Sequence, residues 1–129
     1  MIPQTTVEII QLESGQICRQ ENGIICFHMK DELSVTLEIV HEAVLAIKTL
    51  DDSGARLIIK MGLNTDVEFA AQRYFATNIG VEKLALIAQN RIQVEVARFL
   101  VTMMKLFHCP YDIKSFYTLE QAEKWLLED

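Results

Sequence analysis

Three residues near the N-terminus have side chains that could do chemistry together. Cys18, Cys26 and His28 offer two thiols and an imidazole, the donor types taken by zinc and other soft metals. They flank Glu21-Asn22-Gly23, and Asn-Gly between two strand-like runs is a strong hairpin signal. A hairpin would carry the three side chains toward one another. A fourth ligand is not apparent, and the spacings of the three cysteines match no zinc or redox motif. Cysteine is commonly a small core residue, and that is the expectation here. His108-Cys109 precedes Pro110 and holds the residue types of nucleophilic catalysis. Adjacent residues rarely reach the orientation such a pair needs, and a histidine at a helix C-terminus suits the helix dipole. His41 falls beside an apolar stripe and reads as surface. No catalytic residue, metal ligand or cofactor is expected.

A second kind of chemistry needs no reactive side chain. Three helices are expected to begin directly after parallel strands, at Thr65, Asn90 and Thr118. Their free N–H groups and positive dipole ends would gather at one sheet edge and favour an anion or an acidic partner. Arg91 adds a fixed positive charge. The candidate binding residues are therefore Asn64, Thr65, Asp66, Asn90 and Arg91. Asp66 and Glu68 already oppose the dipole of the first of these helices, and caps in solvated loops are the plainer reading of all five.

The elements that must position these residues can be read in order. Residues 7–11, 16–20 and 24–29 read as strands, the last two forming the hairpin. Thr36 or Ser34 caps a helix whose stripe is Leu37, Val40, Ala43, Val44, Ile47 and Leu50. Asp51-Asp52-Ser53-Gly54 ends it. Residues 55–61 form a strand, and Thr65-Asp66-Val67-Glu68 reads as a capping box for a helix through about Thr77. Residues 83–88, KLALIA, suit a strand buried on both faces. Asn90 and Gln93 form a second capping box. In the helix that follows, Ile92, Val96, Phe99, Leu100, Met103 and Leu106 predict one apolar face set against the sheet. Pro110 enforces the stop, residues 111–116 return as a strand, and Thr118 to Gln121 caps a closing helix. Ala122, Trp125 and Leu126 form its inner face, with Trp125 expected to be mostly buried. The fold class is α/β: one domain with a mixed sheet of about five or six strands, an N-terminal antiparallel hairpin and then β-α repeats.

Composition narrows the function classes. A chain of 129 residues suits a single domain. A formal net charge of −6, with no run of Lys or Arg, argues against nonspecific nucleic-acid binding. No apolar stretch approaches the roughly 18 residues that a spanning helix needs, so no transmembrane segment is expected. The N-terminal segment lacks the basic start and apolar core of a signal peptide, and cysteine usage suits a cytoplasmic protein with reduced thiols. Exposed Tyr74, Phe75 or Met104 would favour pairing, so a two-fold homodimer is expected. Met103-Met104 with Phe99 and Phe107 could instead line a lipid pocket, although such a stripe is more often core.

The C-terminal third carries a resemblance. Leu84-Ala85-Leu86-Ile87 followed by a long helix, then Pro110, Ile113, Phe116, Thr118, Glu120-Gln121-Ala122 and Trp125-Leu126, is similar to small SpoIIAA-like, or STAS-like, bacterial domains of uncharacterised type found in Bacteroidetes. The resemblance implies the SpoIIAA-like fold and, more weakly, a regulatory or protein-binding role. The best-known members of that superfamily are anti-sigma factor antagonists with a phosphorylatable Ser in an Asp-Ser-x-Gly-like motif after a central strand. Asp52-Ser53-Gly54 looks similar but precedes its strand. The equivalent junction, Asn64-Thr65-Asp66, has a hydroxyl but neither the Ser nor the Gly.

Three function classes follow. A non-enzymatic regulatory or protein-binding domain leads. A carrier of a small apolar ligand is the alternative, and it would need a cavity of about 300 Å³ or more between sheet and helices. An enzyme would need convergent polar groups at the carboxyl ends of the parallel strands, and no nucleophile–base pair stands out there.

Overall fold

The computed structural model describes residues 6–51 and 53–128. Residues 1–5, part of the segment read for a leader, and Asp52 of the Asp-Ser-Gly sequence lie outside the described residues. The first three strands, β1 (Thr6–Leu12), β2 (Gly15–Gln20) and β3 (Ile25–Met29), pair antiparallel. The β2–β3 turn is the Asn-Gly turn read from sequence. Gly23 takes φ 87°, its N–H donates to the Gln20 carbonyl at 2.9 Å, and the Asn22 side chain accepts from Ile24 N at 3.1 Å. An L side chain rarely adopts that φ, so glycine belongs there.

From β3 the chain advances in one direction. β5 (Ala55–Lys60), β7 (Val81–Ile87) and β8 (Asp112–Phe116) each add a parallel strand, giving the order β1-β2-β3-β5-β7-β8. Steady advance with right-handed crossovers places all three connecting helices on one face. They are α1 (Leu37–Leu50), α2 (Phe69–Asn78) and α3 (Arg91–Leu106). Val40, Val44, Ala71, Ala97 and Met104 from these helices bury against Ile25, Leu57, Leu84 and Ile113 of the sheet. The last helix, α4 (Leu119–Leu126), follows the edge strand β8 and covers the other face. Ala122 and Leu126 pack there on Cys18, Cys26, Ile58 and Ala85.

Three expectations need correction. Thr65 is not a helix cap. Asp66–Val67 is a short strand, β6, parallel to β4 (Ser34–Val35). The Glu68 N–H that a Thr65 cap would accept donates instead to the Val35 carbonyl at 3.0 Å, and Asp66 N donates to Leu33 O at 3.1 Å. The second helix therefore starts at Phe69, with Glu68 at its N-cap making no side-chain cap bond. Of the two candidates for the first helix, Thr36 is the cap, accepting from Ile39 N at 3.3 Å.

The inner face of α3 is rotated from the predicted one. Gln93, Ala97 and Met104 are buried, with Leu100 and Val101 packed beside them. Ile92, Phe99 and Leu106 stay 69%, 55% and 64% exposed. The apolar arc of this helix is wider than one packing face: Val96 and Leu100 of the stripe chosen from sequence do pack on the core, while its other members lie toward the outer side. Of the residues expected to be exposed for pairing, Met104 is buried and Tyr74 and Phe75 are partly buried. Trp125 is partly exposed but packs against the core on the second face, its ring 5.5 Å from that of Phe116. Among the described residues, no helix is long and apolar enough to cross a membrane.

Candidate functional site

The carboxyl ends of β3, β5 and β7 meet at one edge, and the candidate residues divide into two groups there. Asn64, Thr65 and Asp66 follow β5. Asn64 sits at φ 51°, a left-handed conformation that asparagine tolerates better than most residues. The Asp66 carboxylate accepts the Ser34 hydroxyl at 2.8 Å, which ties β6 to β4. Asn90 and Arg91 open α3 in the loop after β7. Among the described residues no hydrogen bond joins the two groups directly.

Gln93 makes the connection. It is only 7% exposed. Its Nε2 donates to the carbonyls of Met61 and Gly62 at 3.1 and 3.2 Å. Its Oε1 accepts from Gln89 N at 2.8 Å and Asn90 N at 3.3 Å, while its own N–H donates to Asn90 Oδ1 at 2.8 Å. One buried carboxamide thus bolts the end of β5 to the start of α3. The capping box was legible in the sequence; the reach across to Met61 and Gly62 was not. Gly62 is fixed from the other side, since a Cβ on it would lie 2.1 Å from the Lys30 carbonyl. Asp31 accepts from Leu63 N at 2.8 Å across the same contact.

The helix starts at this edge differ in what they offer a ligand. The start of α2 carries no basic residue and has Glu68 at its cap. The start of α3 spends its cap on Gln93. Arg91 is exposed, and the segments after β3 and β5 carry the acidic residues Asp31, Glu32, Asp66 and Glu68.

Behind the β4–β6 pair lies a cavity of about 90 Å³ between the sheet and the helices α1, α2 and α3. Its walls are aliphatic and aromatic, with Val35, Ile59, Val67, Leu84 and Leu86 among them, and Thr65 and Gln72 are its only polar lining residues. It falls well short of the about 300 Å³ that an apolar-ligand carrier would need. Gln72 was not singled out from the sequence, although a glutamine following Ala70-Ala71 on a packed helix stretch is a signal for a buried polar group.

The hairpin does bring its thiols together. Cys18 and Cys26 are cross-strand partners, and Cys26 Sγ lies 3.3 Å from His28 Nε2. Burial, reinforced by Cys18, pushes the Cys26 thiol up to about 12, and burial with Lys60 nearby lowers the His28 imidazole. The thiol therefore stays protonated at neutral pH, the opposite of what a nucleophile or metal ligand requires. No group of three or more metal-capable residues forms among the described residues. His108 is the left-handed residue that ends α3, at φ 60°. The Cys109 thiol donates to the Tyr111 carbonyl at 3.5 Å rather than to its neighbour's ring.

The outer face of α3 leaves Ile92, Phe99 and Leu106 uncovered, with Val96 and Met103 half-buried at its margin. Ile92, Val96, Phe99, Met103 and Leu106 recur at steps of four, three, four and three, the spacing of a helix–helix seam. Phe107 follows directly, its ring edge-on to that of Phe69 at 5.4 Å.

Comparison with known proteins agrees with this architecture. The chain belongs to the family described as Domain of unknown function (DUF7793), whose model matches residues 18–128. Its structure is similar to the crystal structure of an uncharacterised DUF3478-family protein with a SpoIIAA-like fold from Shewanella loihica PV-4. The TM-score is 0.54 at 14% identity, covering 98% of each chain. At that identity the likeness establishes the SpoIIAA-like fold. No curated protein matches the chain.

Proposed function

We propose that this DUF7793 member acts as a non-enzymatic protein-binding domain whose contact surface is the outer face of α3. The observation that carries the reading is the apolar stripe on that helix, with Ile92, Phe99 and Leu106 each more than half exposed. Scattered apolar residues on a surface need no explanation, but an ordered stripe along a helix about 24 Å long does. The fold supports a regulatory role by likeness alone, and the raised Cys26 thiol argues against the one cysteine–histidine contact as a catalytic pair.

The occupant we assign is a second copy of the chain. Ile92 and Leu106 lie seven residues on either side of Phe99, with Val96 three before it and Met103 four after. When two α3 helices cross antiparallel on a two-fold axis at Phe99, Ile92 faces the partner's Leu106, and Val96 and the partner's Met103 meet one residue out of register. An isologous interface requires this self-complementarity. A stable pair buries about 800 Å² on each side, more than the stripe alone supplies, and exposed Phe69 beside Phe107 extends the apolar surface. Sedimentation equilibrium tests the reading. The native chain should sediment at twice 14.8 kDa at tens of micromolar, and Phe99→Glu should return it to the monomer with its circular dichroism unchanged. A native chain that stays monomeric at those concentrations overturns the assignment of the occupant.

A further inference from the structure

The cavity behind β4 and β6 contains an unmet requirement. Gln72 is 8% exposed and lines the cavity from α2. Its Nε2 donates to the Val67 carbonyl at 2.9 Å, while its Oε1 is buried with no hydrogen-bond partner among the described residues. Rotating the amide does not relieve this. The Val67 carbonyl can only accept, so the NH₂ end must face it and the oxygen is left needing a donor. A buried carbonyl left without one costs about 1–3 kcal/mol.

Water is a poor answer. A buried water makes about three hydrogen bonds, and the wall offers two polar side chains, Thr65 and Gln72, among otherwise apolar residues. Apolar cavities of this kind stay dry and take up apolar guests, an engineered one of about 150 Å³ binding benzene. A space of about 90 Å³ suits a smaller guest, of roughly four heavy atoms by that scale, so a five-membered ring is the upper limit.

We propose that this cavity is a binding site for a small, uncharged, largely apolar molecule with a single N–H or O–H donor, which it gives to Gln72 Oε1. The β4–β6 pair closes the site, with Val35 and Val67 on the wall and the Ser34–Asp66 hydrogen bond as its outer clasp. The site is separate from the outer stripe of α3, so it stands or falls independently of self-association.

Pyrrole and furan make the test. They have nearly the same shape, but pyrrole carries an N–H donor and furan does not. Methyl and side-chain amide NMR signals of the full chain are followed during titration with each. Pyrrole should shift the methyls of Ile59, Leu84 and Leu86 together with the Gln72 NH₂, and bind at least tenfold more tightly than furan. Gln72→Met should remove that advantage while leaving the methyl shifts. Equal binding of the two rings overturns the role of Gln72, and absence of shifts at the three methyls with both overturns the site. If Gln72→Met does not fold, the comparison of the two rings on the native chain decides alone.

Discussion

The Lys83 ammonium holds the end of the closing helix at Trp125. Its Nζ donates to the Trp125 carbonyl at 3.0 Å and to the Glu128 carbonyl at 2.9 Å, and it lies 5.0 Å from the centre of the Trp125 ring. Arg56 donates to the Leu126 carbonyl beside it. Two cations from β5 and β7 thus satisfy carbonyls that a helix C-terminus otherwise leaves open, at the end where the dipole favours positive charge. Lys83→Met should cost about 1–2 kcal/mol in urea denaturation and shift the tryptophan emission. An unchanged midpoint and spectrum would show that the contact carries no stability. Because Trp125 is partly buried, Trp125→Ala should cost about 2–3 kcal/mol, below the range for a fully buried tryptophan.

Gln93 should be the most sensitive polar position at the sheet edge. Gln93→Ala strands the Met61 and Gly62 carbonyls and the Gln89 N–H together, for a loss of about 2–4 kcal/mol. Asn90→Ala removes only the cap and should cost about 1 kcal/mol. Chemical denaturation of the two variants side by side checks the order. Equal losses would mean that the links to β5 are weak.

Tyr111 is buried, and its hydroxyl donates to the Phe75 carbonyl at 3.1 Å, with Met104 Sδ at 3.6 Å. Tyr111→Phe keeps the ring and should cost about 1–2 kcal/mol. A stability equal to that of the native chain would mean that water satisfies Phe75 without help.

Alkali should destabilise the domain through its buried acids. Burial raises Cys26 from its usual 9.0 to about 12 and raises Tyr111 as well. The folded state keeps both neutral while the unfolded chain ionises. The stability they contribute is therefore complete below about pH 9 and is lost as pH climbs from there toward 12. Cys26→Ala should reduce the fall in urea midpoint between pH 8 and pH 10.5. In native protein at pH 8, iodoacetamide should modify partly exposed Cys109 first, with Cys26 reacting more slowly, only when α4 opens or the chain unfolds. Rapid labelling of Cys26 would contradict its burial.

Strand and helix order was legible because each element announces itself locally: the Asn22-Gly23 turn, the KLALIA strand, and caps at Thr36, Asn90 and Thr118. What failed was what depends on a distant partner. Thr65-Asp66-Val67-Glu68 satisfies a capping-box pattern, but Leu33 and Val35, more than thirty residues away, take the N–H groups that the cap would need. The face of α3 was misassigned because apolar residues cover more than half its circumference, and periodicity alone cannot say which half meets the sheet. The candidate residues do lie after β5 and β7, although Asp66 belongs to a short strand rather than to a helix start. Gln72 and Gln93 were missed as site residues because a glutamine matters there only for the carbonyls it reaches.

The division of labour between the two faces of the sheet has a dynamic consequence. Three helices share one continuous core, whereas α4 rests on a small cluster of its own and on two cationic anchors. A unit with few buried neighbours opens at lower free energy than the global transition. Amide protons of α4 should therefore exchange with deuterium by local release, faster than those of β5 and β7 beneath it. Such a release would lay bare Cys18, Cys26 and Ile58 while the three-helix face stayed folded. The closing helix would then be a cover that comes and goes on its own clock, and the thiols under it would be sampled by solvent at that rate.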